Sequence, residues 1–397
     1  MSRFAVKAPD LLAPIVTQVT DNQAEAVVIG GGSAGLGVAA ELARRGVEAR
    51  VLERSSTVGT SWRGRYEGLR LNNDRWSARL PRSIPLRIGR WPARDEFVAY
   101  LDRYAKRHAL DIRFASEVRR VDRGADGWHL QTSAGPLAAR FVVVCTGHDR
   151  LPDLPPWPGM RGFGGRLLHA AEFQDAAAYR GQDVLVVGIG TSATEIAARL
   201  PGGGARRVRV AVRSSPNLMP AEFLGIPITL LARAFERAPA WLVDRLGRLV
   251  AWLAIDDLSE YGLPLAPYGV ATELAVKGMG PVIDRGFIDA LRAGEVELVA
   301  PLEGFDGTAV CLADGTCIHP DVVIAATGYR SGLEELVGHL GVLAQSGEPA
   351  ILGAETHSAA PGLYFNGYRL PLPGELSGMR RDSRRIARAI AREAQRS

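Results

Sequence analysis

Ala26-Val-Val-Ile-Gly30-Gly-Gly32-Ser-Ala-Gly35 is an apolar run that breaks into a glycine turn. The order decides the fold. A buried strand is followed by a turn free of obstructing Cβ atoms. A small-residue helix comes next, predicted over Ala34 to Arg45 with Gly46 as its stop. In such a Gly-x-Gly-x-x-Gly turn the residues Gly30, Gly32, Ser33, Ala34 and Gly35 aim backbone N–H groups and a helix N-terminus at a pyrophosphate. The next strand, Glu48 to Leu52, ends at Glu53, whose carboxylate suits a free ribose 2′-hydroxyl, as on FAD or NAD. The pattern recurs as Val184-Leu-Val-Val-Gly188-Ile-Gly190-Thr-Ser-Ala193, with Thr191 and Ser192 in the turn. Here the second strand, Val208 to Val212, ends at Arg213, followed by Ser214 and Ser215. A guanidinium beside two hydroxyls suits the 2′-phosphate of NADPH. The expected fold is α/β, with two Rossmann-like dinucleotide-binding domains, and two dinucleotides on one chain imply hydride transfer between them.

The rest of the chain arranges itself around these turns. Residues 1–24 read as a leader, 25–160 as the first part of an FAD-binding domain, and 161–330 as an NADPH-binding domain. Residues 331–397 return to the first domain and end in a helix from Ser377 to Gln395. Val118-Arg-Arg-Val-Asp and Trp128-His-Leu-Gln-Thr read as paired strands. Phe141-Val-Val-Val-Cys reads as a buried parallel strand ending at Thr146-Gly147, matched by Val322-Val-Ile-Ala-Ala-Thr327-Gly328 in the second domain. Proline-rich 151–158 is a linker. An insertion over about 219–283 repeats apolar residues at helical spacing, among them Leu230, Leu231, Trp241, Leu242, Leu249 and Trp252. It reads as helices over the cofactor cleft, with a dimer face or an interfacial membrane helix as alternatives. Its aromatics Trp241, Trp252, Tyr261 and Tyr268 are expected to line a pocket for a flat or apolar molecule.

Composition narrows the classes. The 397 residues are 47% hydrophobic and 23% charged, with a net charge of +5 spread along the chain, which describes a globular protein with a large core. The arginine-rich terminus reads as the polar face of a helix without interleaved aromatics, so nucleic-acid binding is not expected. Cys145, Cys311 and Cys317 are too few and too separated for a disulfide framework or a zinc site, and no metal is expected. The absence of Cys-x-x-Cys excludes flavoenzymes that pass electrons to a dithiol. Neither a signal-peptide pattern nor a membrane-length apolar run is seen, and a cytoplasmic location is expected.

Between the two turns lies Phe163-Gly-Gly165-Arg-Leu-Leu-His169-Ala-Ala-Glu-Phe173. Its spacing, together with Gly59-Thr60-Ser-Trp62, Leu71-Asn72-Asn73 and Ala326-Thr-Gly-Tyr329, resembles the signature of class B flavoprotein monooxygenases. Three further segments look closest to the YUCCA-type branch: Leu218-Met-Pro-Ala-Glu-Phe-Leu-Gly, Trp241-Leu-Val-Asp-Arg and Gly278-Met-Gly-Pro-Val-Ile-Asp. That resemblance implies FAD and NADPH as cofactors. It also implies a flavin C4a-(hydro)peroxide that passes one atom of O₂ to a small organic substrate, by heteroatom oxidation or oxidative decarboxylation of an arylpyruvate. A Baeyer–Villiger enzyme is the alternative, and an NADPH:acceptor flavin reductase a more distant one. Phe173 departs from the Trp or Tyr usual at the last motif position, so the subclass cannot be read there.

The same resemblance assigns roles. Arg54 flanks the FAD adenine or ribose, Trp62 packs along its ribityl chain or the flavin edge, and Thr60, Val118, Thr146, Gly147, Gly367 and Leu376 complete its site. Thr327, Gly328 and Tyr329 are expected to bind cofactor. Asn72 is the candidate for a hydrogen bond at the flavin C4a side, with Asn73 as its rival. His169 is a coupling residue at the domain junction whose loss wastes NADPH. The helix N-terminus near Leu376 and Ser377 sets a positive dipole end beside the flavin N1–C2 carbonyl. A homodimer is a possible assembly.

Overall fold

The computed structural model describes residues 22–83 and 89–396. The leader expected over 1–24 lies outside them as far as residue 21. Two sheets carry the chain, each built around one glycine turn. In the first, Gln23–Ile29 runs parallel to Ala49–Leu52 on one side and to Gly135–Val144 on the other, with Val28 opposite both Val51 and Val143. Asp111–Arg113 extends the edge beyond Ala49–Leu52. Ala26, Val27, Val28, Val51, Val142 and Val143 are fully buried, and each such valine contributes roughly 1.5–3 kcal/mol of burial.

Strand Gly135–Val144 has two characters. Its first half alternates buried and exposed and pairs antiparallel with Gly127–Thr132, Leu137 facing Leu130; Val118–Gly124 lies beyond. Its second half is buried on both faces and pairs parallel with Leu363–Phe365, Val143 facing Tyr364. The terminal helix Glu375–Ala394 then packs on the glycine-turn helix Ser33–Ala43. A Cβ on Gly37 would stand 2.8 Å from Ser383 Oγ, so the two helices touch through small residues.

The second sheet is wholly parallel, in the order Val296–Val299, Arg207–Ala211, Asp183–Val187, Val322–Ala325, Arg166–His169. Helix Thr191–Gly203 covers one face through Ile196, Ala197 and Leu200. A three-stranded meander, Leu302–Asp306, Ala309–Leu312 and Cys317–Ile318, joins a core on Leu185, Val187 and Val323. The chain crosses between the two units twice, and the crossings pair: Leu151–Pro152 runs antiparallel to Tyr329–Arg330. The expected proline linker is thus half of a two-stranded ribbon.

The insertion forms helices Ile228–Ala234, Ala240–Ala254 and Val270–Lys277. Its ends are pinned side by side by the parallel pair Leu218–Pro220 and Val282–Asp284. Asp244 accepts the Ala271 and Thr272 N–H groups at 2.7 and 3.2 Å and so caps the third helix from the second. Thr229 donates to the buried Asp74 at 2.8 Å, tying the first helix to the opposite unit.

Candidate active site

A cavity of about 950 Å³ opens at the carboxyl ends of strands Gln23–Ile29, Ala49–Leu52 and Gly135–Val144 and runs under the insertion. That is the usual place for a ligand in an α/β sheet. Candidate site residues that line it are Gly30, Gly32, Ser33, Ala34, Glu53, Arg54, Thr60, Trp62, Asn72, Asn73, Val118, Thr146, Gly147, Thr191, Ser192, Tyr329 and Leu376. Gly35 and Gly367 stand behind the wall. A Cβ on Gly35 would fall 1.9 Å from the Gly30 carbonyl oxygen, and one on Gly367 3.2 Å from Ala34 Cβ. Gly188, Gly190, Ala193, Thr327 and Gly328 form the second turn and its neighbour and are not on this wall. Arg213, Ser214 and Ser215 line a separate recess, whose other side includes Leu312, Cys317, Ile318 and His319.

The turns fit dinucleotides. Gly30 has φ +108°, and a Cβ there would stand 2.6 Å from the Cys145 carbonyl oxygen. Gly188 repeats this with φ +116° and 2.6 Å to the Ala326 carbonyl oxygen. By contrast, among the described residues beyond their chain neighbours, no atom lies within 4 Å of where a Cβ on Gly32 or Gly190 would sit, so both turns are open on the outer side. The Ser33 hydroxyl, at the start of the first helix, is buried without a partner among the described residues. Glu53 turns one carboxylate oxygen to the Gly31 N–H at 2.7 Å and the other to the Ser55 N–H at 2.9 Å, which fixes its position at the strand end.

At the junction, His169 is fully engaged. Its Nδ1 accepts the Ala171 N–H at 3.1 Å and its Nε2 donates to the Gly328 carbonyl at 3.0 Å. Burial depresses its pKa, so the ring is neutral and holds the turn before Tyr329, whose ring it meets edge-on at 5.0 Å. Phe173 is buried against Tyr66 and Tyr179. The departure from Trp or Tyr at this position is therefore a packing feature under the second sheet.

Sequence reasoning missed the polar network that joins the units. The Tyr66 hydroxyl donates to Glu195, which sits on helix Thr191–Gly203. Glu195 also hydrogen-bonds Asn72, and Arg285 Nε donates to Asn72 Oδ1 at 3.1 Å while its other arm reaches the Leu71 carbonyl at 2.9 Å. Burial pushes the Glu195 carboxyl up, against the pull of Tyr66, Arg285, Arg199 and Asn72. Asn72 is thus clamped at the cavity wall, whereas Asn73 donates to the Pro373 carbonyl at 3.2 Å. Arg65 spans the junction too, donating to the Tyr329 hydroxyl at 2.9 Å and to Asp149 at 2.8 Å. At the start of the terminal helix, Glu375 faces His148 Nδ1 at 3.2 Å, with Asp149 3.3 Å from Nε2. The bond to Glu375, outweighing partial burial, lifts the His148 pKa to about 10. A helix end expected to present bare positive potential therefore carries a carboxylate and an imidazolium together.

The insertion corrects one expectation. Helix Ala240–Ala254 turns Val243, Leu246, Gly247 and Val250 into the cavity, and this i, i+3, i+4, i+7 face leaves Trp241 and Trp252 outside, 67% and 64% exposed. Tyr261 and Tyr268 are also off the wall. The insertion's aromatic contribution to the lining comes from Phe223 and Phe235, beside Met219, Ile228 and Leu231.

Comparison with known proteins places this site in a family. The pyridine nucleotide-disulphide oxidoreductase profile matches residues 27–221. The chain is 34% identical to indole-3-pyruvate monooxygenase YUCCA1 of Oryza sativa subsp. japonica over 314 residues, spanning 78% of this chain and 77% of that protein. The chain belongs to the YUCCA-type flavoprotein monooxygenases. Another member of this family, indole-3-pyruvate monooxygenase YUCCA4 of the same rice, is 32% identical over 78% of this chain and 74% of its own length. The fold of the family extends further. A flavin-containing monooxygenase from Stenotrophomonas maltophilia superposes with a TM-score of 0.74 at 23% identity, over 94% of this chain and 99% of that one. An oxidized, NADP-bound steroid monooxygenase does so with 0.75 at 21% identity, over 94% and 87%. As a YUCCA-type flavoprotein monooxygenase the chain is an FAD- and NADPH-dependent enzyme that uses O₂ on a small organic substrate. No helix among the described residues is long and apolar enough to cross a membrane.

Proposed function

We propose that the substrate is an aryl-substituted 2-oxo acid, decarboxylated oxidatively to the arylacetate. The reading rests on one observation: the likeness to indole-3-pyruvate monooxygenases runs through more than three quarters of this chain. The arylpyruvate, O₂, NADPH and a proton give the arylacetate, CO₂, NADP⁺ and water. FAD and NADPH supply hydride transfer and oxygen activation; the protein supplies position and dryness. Gly30, Gly32 and Ser33 would hold the FAD pyrophosphate and Glu53 its ribose, with Thr60, Trp62, Thr146 and Leu376 along its length. Gly188, Gly190 and Ser192 would hold NADPH, with Arg213, Ser214 and Ser215 on its 2′-phosphate.

The apolar wall of Phe223, Ile228, Phe235, Val243 and Val250 suits an aryl ring and excludes water. Arg70, on the same cavity wall and near enough to Arg285 to help depress its pKa, would meet the substrate carboxylate. Asn72, clamped by Arg285 and Glu195, orients a polar group at the reacting centre, and His169 positions the Gly328 turn without titrating. The free thiols Cys145, Cys311 and Cys317 suit a cytoplasmic setting.

The test is product analysis per NADPH consumed, with arylpyruvates, ketones, amines and sulfides offered in turn. Arylacetate and CO₂ formed close to one per NADPH is the expected result. Esters from ketones, or N- and S-oxides in place of arylacetate, would overturn the assignment. In Arg70→Ala the KM for the arylpyruvate should rise about tenfold to hundredfold, the worth of a hydrogen bond to a charged group.

A further inference from the structure

Spacing along the chain separates Cys311 from Cys317, and strand pairing reunites them. They are cross-strand partners in the meander, and their Sγ atoms lie 3.3 Å apart. The Leu312 N–H donates to the Thr316 carbonyl at 2.9 Å, so that neighbouring pair is hydrogen-bonded. By the alternation of an antiparallel ladder, Cys311 and Cys317 then form a non-hydrogen-bonded pair, a class whose Cα atoms stand about 4.5 Å apart. That separation lies inside the ~4.4–6.8 Å that a disulfide bridges. The turn between them is fixed. Asp314 accepts the Thr316 N–H at 3.0 Å and its hydroxyl at 2.7 Å, and the Gly315 N–H reaches the Leu312 carbonyl at 3.0 Å.

The two sulfurs differ in access. Cys317 is exposed and Cys311 half-buried, while Cys145 is sealed in the first core. The hydrogen bond with Cys317, with burial and the nearby Asp306 and Glu303, raises the Cys311 pKa, and the greater exposure of Cys317 makes it the sulfur that meets an oxidant first. Cys317 also borders the recess of Arg213, Ser214 and Ser215.

We propose that Cys311 and Cys317 are a modification site, closing to a reversible disulfide under hydrogen peroxide at the rim of the Arg213 recess. The Cys317 thiolate attacks one peroxide oxygen, forming a sulfenic acid as the O–O bond breaks and water leaves. Cys311 then attacks that sulfur, forming S–S as S–O breaks and a second water leaves. Two thiols lose two electrons and two protons, and one peroxide takes up both. A dithiol reverses the bond by exchange. On the reading that the recess takes the 2′-phosphate end of NADPH, bound nucleotide covers Cys317 and slows its oxidation.

The test uses the full-length protein, a few equivalents of hydrogen peroxide with and without saturating NADP⁺, alkylation, and mass spectrometry of a tryptic digest. No Lys or Arg lies between Ala293 and Arg330, so both cysteines share one peptide. That peptide should become lighter by two hydrogens, escape alkylation, and be restored by dithiothreitol, with Cys145 unchanged. In Cys311→Ser, Cys317 should instead proceed to sulfinic and sulfonic acids. Oxygen adducts without linkage in the unaltered chain, or links only between two copies, would overturn the proposal. NADP⁺ should slow linkage severalfold. A bond that forms at one rate with or without NADP⁺ would overturn the recess as the nucleotide's phosphate end, while the disulfide itself would stand.

Discussion

Arg213 stands exposed at the end of its strand, with no ion pair or hydrogen bond to it among the described residues. On the proposed placement of the nucleotide, a guanidinium held out in this way beside Ser214 and Ser215 would distinguish NADPH from NADH. Arg213→Ala should raise the KM for NADPH about tenfold to hundredfold and leave NADH oxidation unchanged, as steady-state rates would show. Equal loss with both nucleotides would remove Arg213 from the site. Gly35→Ala is a different kind of lesion. Its Cβ has backbone, not a movable side chain, at 1.9 Å, so we expect about 3 kcal/mol or more of destabilisation and a preparation that does not retain FAD. Asn72→Ala should keep FAD but release more hydrogen peroxide per NADPH, since the clamp by Arg285 and Glu195 then holds nothing. His148 gives the pH signature. Folding raises its pKa from 6.5 to about 10, so the bridge to Glu375 contributes its full stability below pH 6.5 and loses it as pH rises through about 10. An NMR titration of His148 with a midpoint near 6.5 would contradict the geometry. Legibility at this scale followed locality. Glu53 and Arg213 sit at fixed offsets from their turns, so the motif points to them. Tyr66, Glu195 and Arg285 meet from segments more than 80 residues apart in the chain, and no local period reports such a meeting.

Among elements, helix Ala240–Ala254 shows how a correct period can mislead about direction. Its apolar residues recur helically all round, so the sequence offers two candidate faces; the smaller one, Val243, Leu246, Gly247 and Val250, faces the cavity. Gly247 packs beside Val270, whose side chain lies 3.4 Å from where a Cβ would sit, while the bulkier tryptophans stay outside. We expect Trp241→Ala and Trp252→Ala to change stability by about 0.5 kcal/mol or less, and Val243→Ala to cost about 1–2 kcal/mol and to raise the KM of an apolar substrate. Thermal denaturation and steady-state kinetics on the three variants decide it; a tryptophan variant that loses substrate affinity would reverse the face. The strands were plainer. Continuous apolar runs such as Val184–Val187 and Val322–Ala325 are buried on both faces and read as parallel core. The buried parallel half of Gly135–Val144 was legible in Phe141-Val-Val-Val, but its pairing with Leu363–Phe365 was not, because that strand lies more than two hundred residues on.

For the whole molecule, that late partner sets an order of assembly. The hairpin from Val118 to Val144 has its partners nearby and can form as soon as it leaves the ribosome, and the second sheet has all five strands between Arg166 and Ala325. The first sheet cannot be completed until Leu363–Phe365 and helix Glu375–Ala394 exist. The domain whose glycine turn is synthesised first is therefore the last to close, and its apolar face on Ser33–Ala43 waits uncovered through the synthesis of the other. Chains arrested before Leu363 would expose that face to chaperones and proteases while already carrying a finished second sheet.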